Sequence, residues 1–305
     1  MASPETDRRR LVPGRLRQVS RPVLVTGVPR SGTTWLAREL ARAQGAGLAG
    51  REPMNPRRGQ FALGGTLDGW VQLEHPSAQQ ARLLRRCYSG REPRVLSRYG
   101  ERQLQAALPW GTTVVKDPFA LLSLPCIVAL THAVAVVVYR PAVAVLASYR
   151  RMGWQADTAE VRALPGGPSG PEPLGDVEAM AEFWNELHTR VLDRIEQVPG
   201  AVLVSHPDLV ADGEQGLDTL AARCGLRPRR PARIPTGAGV QRPAVLKPSG
   251  APEGDRPQLH DFDRTAQAVA EGWRSRVDES EREWLDEATG TVWERLQAAR
   301  TGLDG

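Results

Sequence analysis

The sequence predicts an α/β chain: a single domain in which a parallel β-sheet is flanked by helices. Three observations carry this. Residues Val23 to Leu36 read as strand, glycine turn and helix. Val23 to Thr26 is an apolar β-branched run, Gly27 to Gly32 a tight turn, and Thr33 to Ala43 has helical spacing with Trp35, Leu36 and Leu40 on one face. Ala133 to Tyr139 is an unbroken apolar run, the pattern of a strand covered on both faces. Strand segments then alternate with helical ones along the chain, with no internal repeat and no second core.

The other elements follow in order. Residues 1–20 are Arg-rich, lack an apolar stretch, and read as a flexible tail rather than a secretory signal. Leu48 starts a short second strand, and the prolines of Gly50-Arg51-Glu52-Pro53-Met54-Asn55-Pro56 make the next segment a loop. In a parallel sheet that loop opens at the same carboxyl edge as the first one. Residues 57–108 form an insertion, helical over Ser77 to Arg86 and Gln103 to Leu108. Thr112 to Val115 is a buried strand ended by Lys116-Asp117-Pro118, and Pro118 opens a helix towards Leu124. Arg140-Pro141 begins a helix through Arg151. After a Pro/Gly-rich linker at 165–175, Asp176 caps a long helix reaching Gln197, with Phe183, Trp184, Leu187, Val191 and Ile195 as its apolar stripe. Ala201 to Ser205 is a strand, and Gly216 to Arg223 a helix closed by Gly225. Residues 226–262 are an irregular Pro-, Gly- and Arg-rich loop, followed by helices at Arg264 to Arg276 and Asp278 to Arg300 with Trp284 and Trp293 on packing faces.

Composition narrows the function. The 305 residues are 41% hydrophobic and carry a net charge of +5, which suits an anionic ligand without demanding nucleic acid. Cys87, Cys126 and Cys224 are far apart and odd in number, so they read as free thiols of a reducing compartment. The longest apolar run, Ile127 to Val138, is too short to span a bilayer, and its His132 reads as a core residue. The expected location is cytoplasmic. The five histidines show no metal-ligand spacing and no carboxylate cluster suggests a divalent cation, so no metal is expected. Of 40 basic residues all but Lys116 and Lys247 are arginine. A lysine kept in such a chain points to a need for a compact ammonium.

The first loop is where an anion belongs. A glycine turn leading into a helix aims backbone N–H groups and the positive end of the helix dipole at one site. Its spacing matches G-x-x-x-x-G-K-[ST] at Gly27, Gly32 and Thr34, but Thr33 stands where the triphosphate-binding lysine belongs, and the cation is Arg30 inside the loop. Arg140 at a strand end and Ser148, eight residues on along a helix, can both reach a second anion.

Gly27-Val28-Pro29-Arg30-Ser31-Gly32-Thr33-Thr34-Trp35-Leu36 closely resembles the 5′-phosphosulfate loop of sulfotransferases that use PAPS (3′-phosphoadenosine-5′-phosphosulfate). The resemblance covers residues 20–225 well and implies that Pro29, Arg30, Ser31, Gly32, Thr33, Thr34 and Trp35 hold the co-substrate. It implies that Arg140 and Ser148 hold the 3′-phosphate. Lys116-Asp117-Pro118-Phe119 resembles the Lys-Asp-Pro-Phe of tyrosylprotein sulfotransferases and bacterial relatives, where the lysine lies beside the sulfuryl group. Glu52 matches the glutamate that serves as base in that branch, although its neighbours differ. Leu246-Lys247-Pro248 is similar to a late Lys-Pro segment that folds over the nucleotide. The activity implied is transfer from PAPS to a small-molecule or carrier-linked hydroxyl, with adenosine 3′,5′-bisphosphate released. Glu52, Arg30 and Lys116 would be the catalytic residues, and the 57–108 insertion an acceptor-facing lid. The alternatives are a P-loop small-molecule kinase, against which Thr33 speaks, and a non-catalytic nucleotide-binding protein of the same fold.

Overall fold

A computed structural model describes residues 21–57, 59–108, 110–227 and 276–303. Five parallel strands form one sheet: β1 (Val23–Thr26), β2 (Ala46–Leu48), β3 (Thr112–Lys116), β4 (Val134–Tyr139) and β5 (Val202–Ser205), in the order β2-β3-β1-β4-β5. The strands are rich in valine and almost wholly buried, because helices cover both faces. Successive residues alternate between two core layers. Val23, Val25, Val136 and Val204 face α1 (Thr33–Ala41) and α9 (His206–Arg223). Leu24, Val115, Val137 and Tyr139 face the layer that includes α5 (Leu124–Thr131), α6 (Ala142–Met152), α8 (Asp176–Ile195) and α10 (Glu279–Ala299).

The 57–108 insertion holds the single turn α2 (Ala62–Gly65), α3 (Ala78–Tyr88), a 3₁₀ turn at Pro93–Val95 and α4 (Gln103–Ala106). α3 starts at a capping box formed by Ser77 and Gln80. α7 (Thr158–Arg162) lies between α6 and the Pro/Gly linker.

Several expectations are corrected. The apolar run from Ile127 is not one segment. α5 ends at His132, which turns the chain in the left-handed region (φ 56°) and is exposed rather than buried in the core. The helix expected from Pro118 is a 3₁₀ helix, Pro118–Ser123, that leads into α5 rather than ending towards Leu124. The N-cap of α8 is Gly175; Asp176 is the first helical residue and its carboxylate goes to Arg150 instead. α9 starts ten residues earlier than Gly216, kinked at Gly213 (φ 59°). Trp284 is exposed, whereas Trp293 packs against Tyr139, ring centroids 5.5 Å apart. The three cysteines are unpaired, with Cys87 and Cys224 buried. Among the described residues no helix is long and apolar enough to cross a membrane. The tail at 1–20, almost all of the 226–262 loop, the helix expected from Arg264 and Lys247 lie outside the described residues.

Candidate functional site

β1 lies at the centre of the sheet, so what leaves its carboxyl end is flanked by the ends of β3 and β4. Gly27 is required there. A Cβ at that position would stand 2.1 Å from the Val138 carbonyl oxygen, and φ is +153°. The loop closes with Ser31 N–H donating to the Val28 carbonyl at 3.0 Å. Arg30 sits at φ 76°, a strained position for a residue with a Cβ.

Gly32 caps α1 at φ 99° and offers no side chain to its first turn, which also holds no acidic residue. The first N–H groups of α1 are therefore not satisfied by a side-chain cap and point at whatever anion enters the loop. The Ser31 hydroxyl, completely buried, likewise has no hydrogen-bond partner among the described residues. These are donors placed for oxyanions.

Three side chains frame this cradle. Arg30 donates from Nε to the Ser148 hydroxyl at 2.9 Å and lies over the Trp154 ring, 5.6 Å from its centroid. Burial holds the Arg30 pKa below the usual guanidinium value, and Arg151 adds to that effect. Trp154 is delivered by the end of α6. Gly153 turns left-handed (φ 64°), Trp154 N–H returns to the Tyr149 carbonyl at 3.0 Å, and the indole meets the Tyr149 ring edge-on at 5.7 Å. His206, the first residue of α9, packs on Gly32 so closely that an added Cβ would lie 2.1 Å from its ring. It meets Trp35 edge-on at 5.2 Å. Burial, reinforced by the Arg140 charge, lowers the His206 pKa to about 3, so the imidazole is neutral.

β3 brings the second half. The Lys116 ammonium contacts Glu52 Oε1, and the other carboxylate oxygen accepts from Asn55 Nδ2. Glu52 is buried, its own N–H held by Gln60 Oε1 at 2.8 Å. Asp117 ties this loop to β3: Oδ2 accepts from Met54 N–H, and Oδ1 from Phe119 N–H at 3.0 Å. Burial raises the Asp117 pKa to about 7, opposed by the Met54 N–H and by Lys116. Burial lowers Lys116 to about 8, with Asp117 opposing and Arg30 assisting. The register of β3 on β1 pairs Lys116 with Val25, two residues before Gly27.

The structure thus gathers Pro29 to Trp35, Glu52 and Lys116 at one sheet edge. Arg140 is buried at the end of β4, its carbonyl accepting from Trp184 Nε1 at 3.0 Å. Ser148 spends its hydroxyl on Arg30 in this arrangement. His206 is one of the five histidines in which the sequence shows no ligand spacing, and Asp117 enters there only as part of the Lys-Asp-Pro-Phe segment. Asn55 and Trp154 were not singled out. For His206 a signal was present: Ser205-His206-Pro207-Asp208 is a helix start placed directly on a strand's carboxyl end, with Ser205 Oγ accepting from Asp208 N–H. Among the described residues no group of three His, Cys, Asp or Glu could hold a metal ion.

A parallel sheet with an uncapped helix N-terminus on its central strand, and a cation–carboxylate pair on the neighbouring strand's end, defines a P-loop-like α/β class. The family model described as the sulfotransferase family matches residues 22–229, and the chain belongs to that family. A solved structure, the sulfotransferase domain from the Synechococcus PCC 7002 olefin synthase, is similar over 90% of this chain and 96% of that one, at 17% identity and a TM-score of 0.42. No curated protein matches the chain.

Proposed function

We propose that this sulfotransferase moves the sulfuryl group of PAPS onto an acceptor hydroxyl, giving a sulfate ester and adenosine 3′,5′-bisphosphate. The observation that carries the reading is the Lys116–Glu52 contact beside the Arg30 loop. It puts a base and a cation next to an anion cradle.

The donor set fits PAPS. The uncapped α1 N-terminus, the orphaned Ser31 hydroxyl and Arg30 suit a 5′-phosphosulfate, and the Arg140 guanidinium a further phosphate. PAPS would supply the activated sulfuryl group. Glu52 accepts the proton of the attacking hydroxyl, and Asn55 keeps its carboxylate turned into the site. Lys116 and Arg30 oppose the negative charge that develops on the sulfuryl oxygens and the leaving phosphate. Asp117 anchors the Glu52 loop through Met54 N–H. The buried Thr33 presents no ammonium to a γ-phosphate, which disfavours the kinase alternative.

The test is thermal. Adenosine 3′,5′-bisphosphate should raise Tm more than adenosine 5′-phosphate does, because ligands of the folded state stabilise it by mass action. Labelled PAPS should pass label to members of a hydroxyl-acceptor panel. Equal shifts from the two nucleotides, together with stabilisation by ATP and Mg²⁺, would overturn the reading.

A further inference from the structure

Arg57 closes the loop that carries Glu52. Its N–H donates to Asn55 Oδ1 at 2.8 Å, and Asn55 in turn holds the Glu52 carboxylate. Its guanidinium is exposed and makes no ion pair among the described residues. It is nevertheless held in place, over the Trp154 ring at 5.3 Å and the Phe119 ring at 5.7 Å. Two aromatic faces brace the cation without neutralising it.

Both rings belong to the site. Phe119 follows Lys116 by three residues, and the Trp154 ring that supports Arg57 also supports Arg30. Both guanidiniums therefore contact one indole, Arg30 from the nucleotide loop and Arg57 from the Glu52 loop. The buried Tyr149 hydroxyl, which has no hydrogen-bond partner among the described residues, lies within the field of both.

Two carboxylates lie in the vicinity, and neither forms an ion pair with Arg57 among the described residues. Asp157 caps α7 by accepting from Glu160 N–H at 3.1 Å. The Glu160 carboxyl is turned against Gly69 and Trp70, and burial and Asp157 favour its protonated form against the pull of Arg57. Arg30, Lys116 and Arg151 add further positive charge, which repels a cationic acceptor.

We infer that Arg57 is the acceptor-side oxyanion site, and that the hydroxyl acceptor carries a carboxylate or a phosphate that docks on this guanidinium between Trp154 and Phe119. The inference rests on the transferase reading above. A planar fork already fixed by stacking accepts such an oxyanion bidentately at little ordering cost.

The probes are benzoate, phenyl phosphate and benzamide, titrated by calorimetry into the full chain with adenosine 3′,5′-bisphosphate at saturation. The nucleotide keeps the probes out of the first cradle. Wild type should bind the two anions and prefer them to benzamide. Arg57→Gln should weaken both anions about 10- to 100-fold, the scale of hydrogen bonds between charged groups, and Arg57→Lys should restore part of the loss. Preference for benzoate identifies a carboxylate acceptor, and preference for phenyl phosphate a phosphorylated one. Anion affinity unchanged in Arg57→Gln, or no preference for anions in wild type, overturns the inference. The bisphosphate titration is read in parallel. Bisphosphate binding combined with Arg57-independent anion binding overturns this inference alone. Arg57-dependent anion binding without bisphosphate binding overturns the transferase reading instead.

Discussion

Arg30, on the loop after β1, donates from Nε to the Ser148 hydroxyl on α6 at 2.9 Å, across 118 positions of sequence. Sequence spacing pairs Ser148 with Arg140, on the same strand–helix unit. The fold also brings the loop cation to that hydroxyl.

That pairing separates two variants. Arg140→Ala should weaken adenosine 3′,5′-bisphosphate binding by about 1.5–3 kcal/mol and leave adenosine 5′-phosphate nearly unaffected. Ser148→Ala should weaken both nucleotides, because it releases Arg30 at the 5′ side. Calorimetric titration of the two nucleotides checks this. A Ser148→Ala loss confined to the bisphosphate would instead return the hydroxyl to the 3′-phosphate.

Glu52→Gln keeps the shape of the side chain and removes its basicity. The expected fall in kcat is about 10²–10⁴-fold, with bisphosphate affinity retained. Single-turnover transfer from labelled PAPS measures it. A variant close to wild type would move the base elsewhere, Asp117 being the next carboxylate in the site.

Lys116→Arg conserves charge and should still cost activity, because the compact ammonium in contact with Glu52 is replaced by a longer, planar guanidinium. The pH profile gives an independent reading. Burial lowers the Lys116 pKa from 10.5 towards about 8, so the cation is present below that value and lost above it. Wild-type kcat should therefore fall on an alkaline limb centred at about 8. The residual activity of Lys116→Arg should lack that limb, since arginine stays protonated. An identical alkaline limb in both proteins would assign it to another group.

Arg150 clamps the helix ends behind the site. Its Nε and Nη2 donate to Asp176 at 2.7 and 3.0 Å, and its Nη1 and Nη2 to Glu281 at 2.7 and 2.8 Å. The hydrogen bonds from Arg150 lower the Glu281 pKa from 4.5 to about 2. A carboxylate depressed on folding stabilises the fold above its unfolded value, and that contribution is lost as pH falls through the folded one. Arg150→Met should cost about 1–2 kcal/mol near neutral pH, the scale of a small partly exposed network. That corresponds to a drop of about 2–4 °C in Tm. Thermal unfolding at pH 7 and near pH 2 checks it, because the difference should shrink towards zero in acid.

Much of the fold was legible in local pattern. Val23 to Thr26 and Val134 to Tyr139 are continuous apolar runs because both faces of the sheet are covered. The glycine turn that opens α1 at Gly32 was legible in the same way. The failures lie where two elements meet inside one apolar run, as at His132, or where a glycine bends a helix without ending it, as at Gly213. Periodicity cannot register either event.

By itself the sequence determined the glycine loop with its internal arginine, the lysine at a strand's carboxyl end, and the glutamate in the loop after the second strand. Each depends on backbone sterics and burial within a few residues. Only the tertiary structure decided which of these meet. The order β2-β3-β1-β4-β5 sets Lys116 beside Val25 and brings Glu52 onto it, 64 positions apart in the chain. Packing of α6 and α9 then delivers Ser148 and Trp154 to Arg30, and His206 to Gly32. Such partners are chosen by how the strands assemble and which faces bury each other, and no window of sequence contains both halves of that choice.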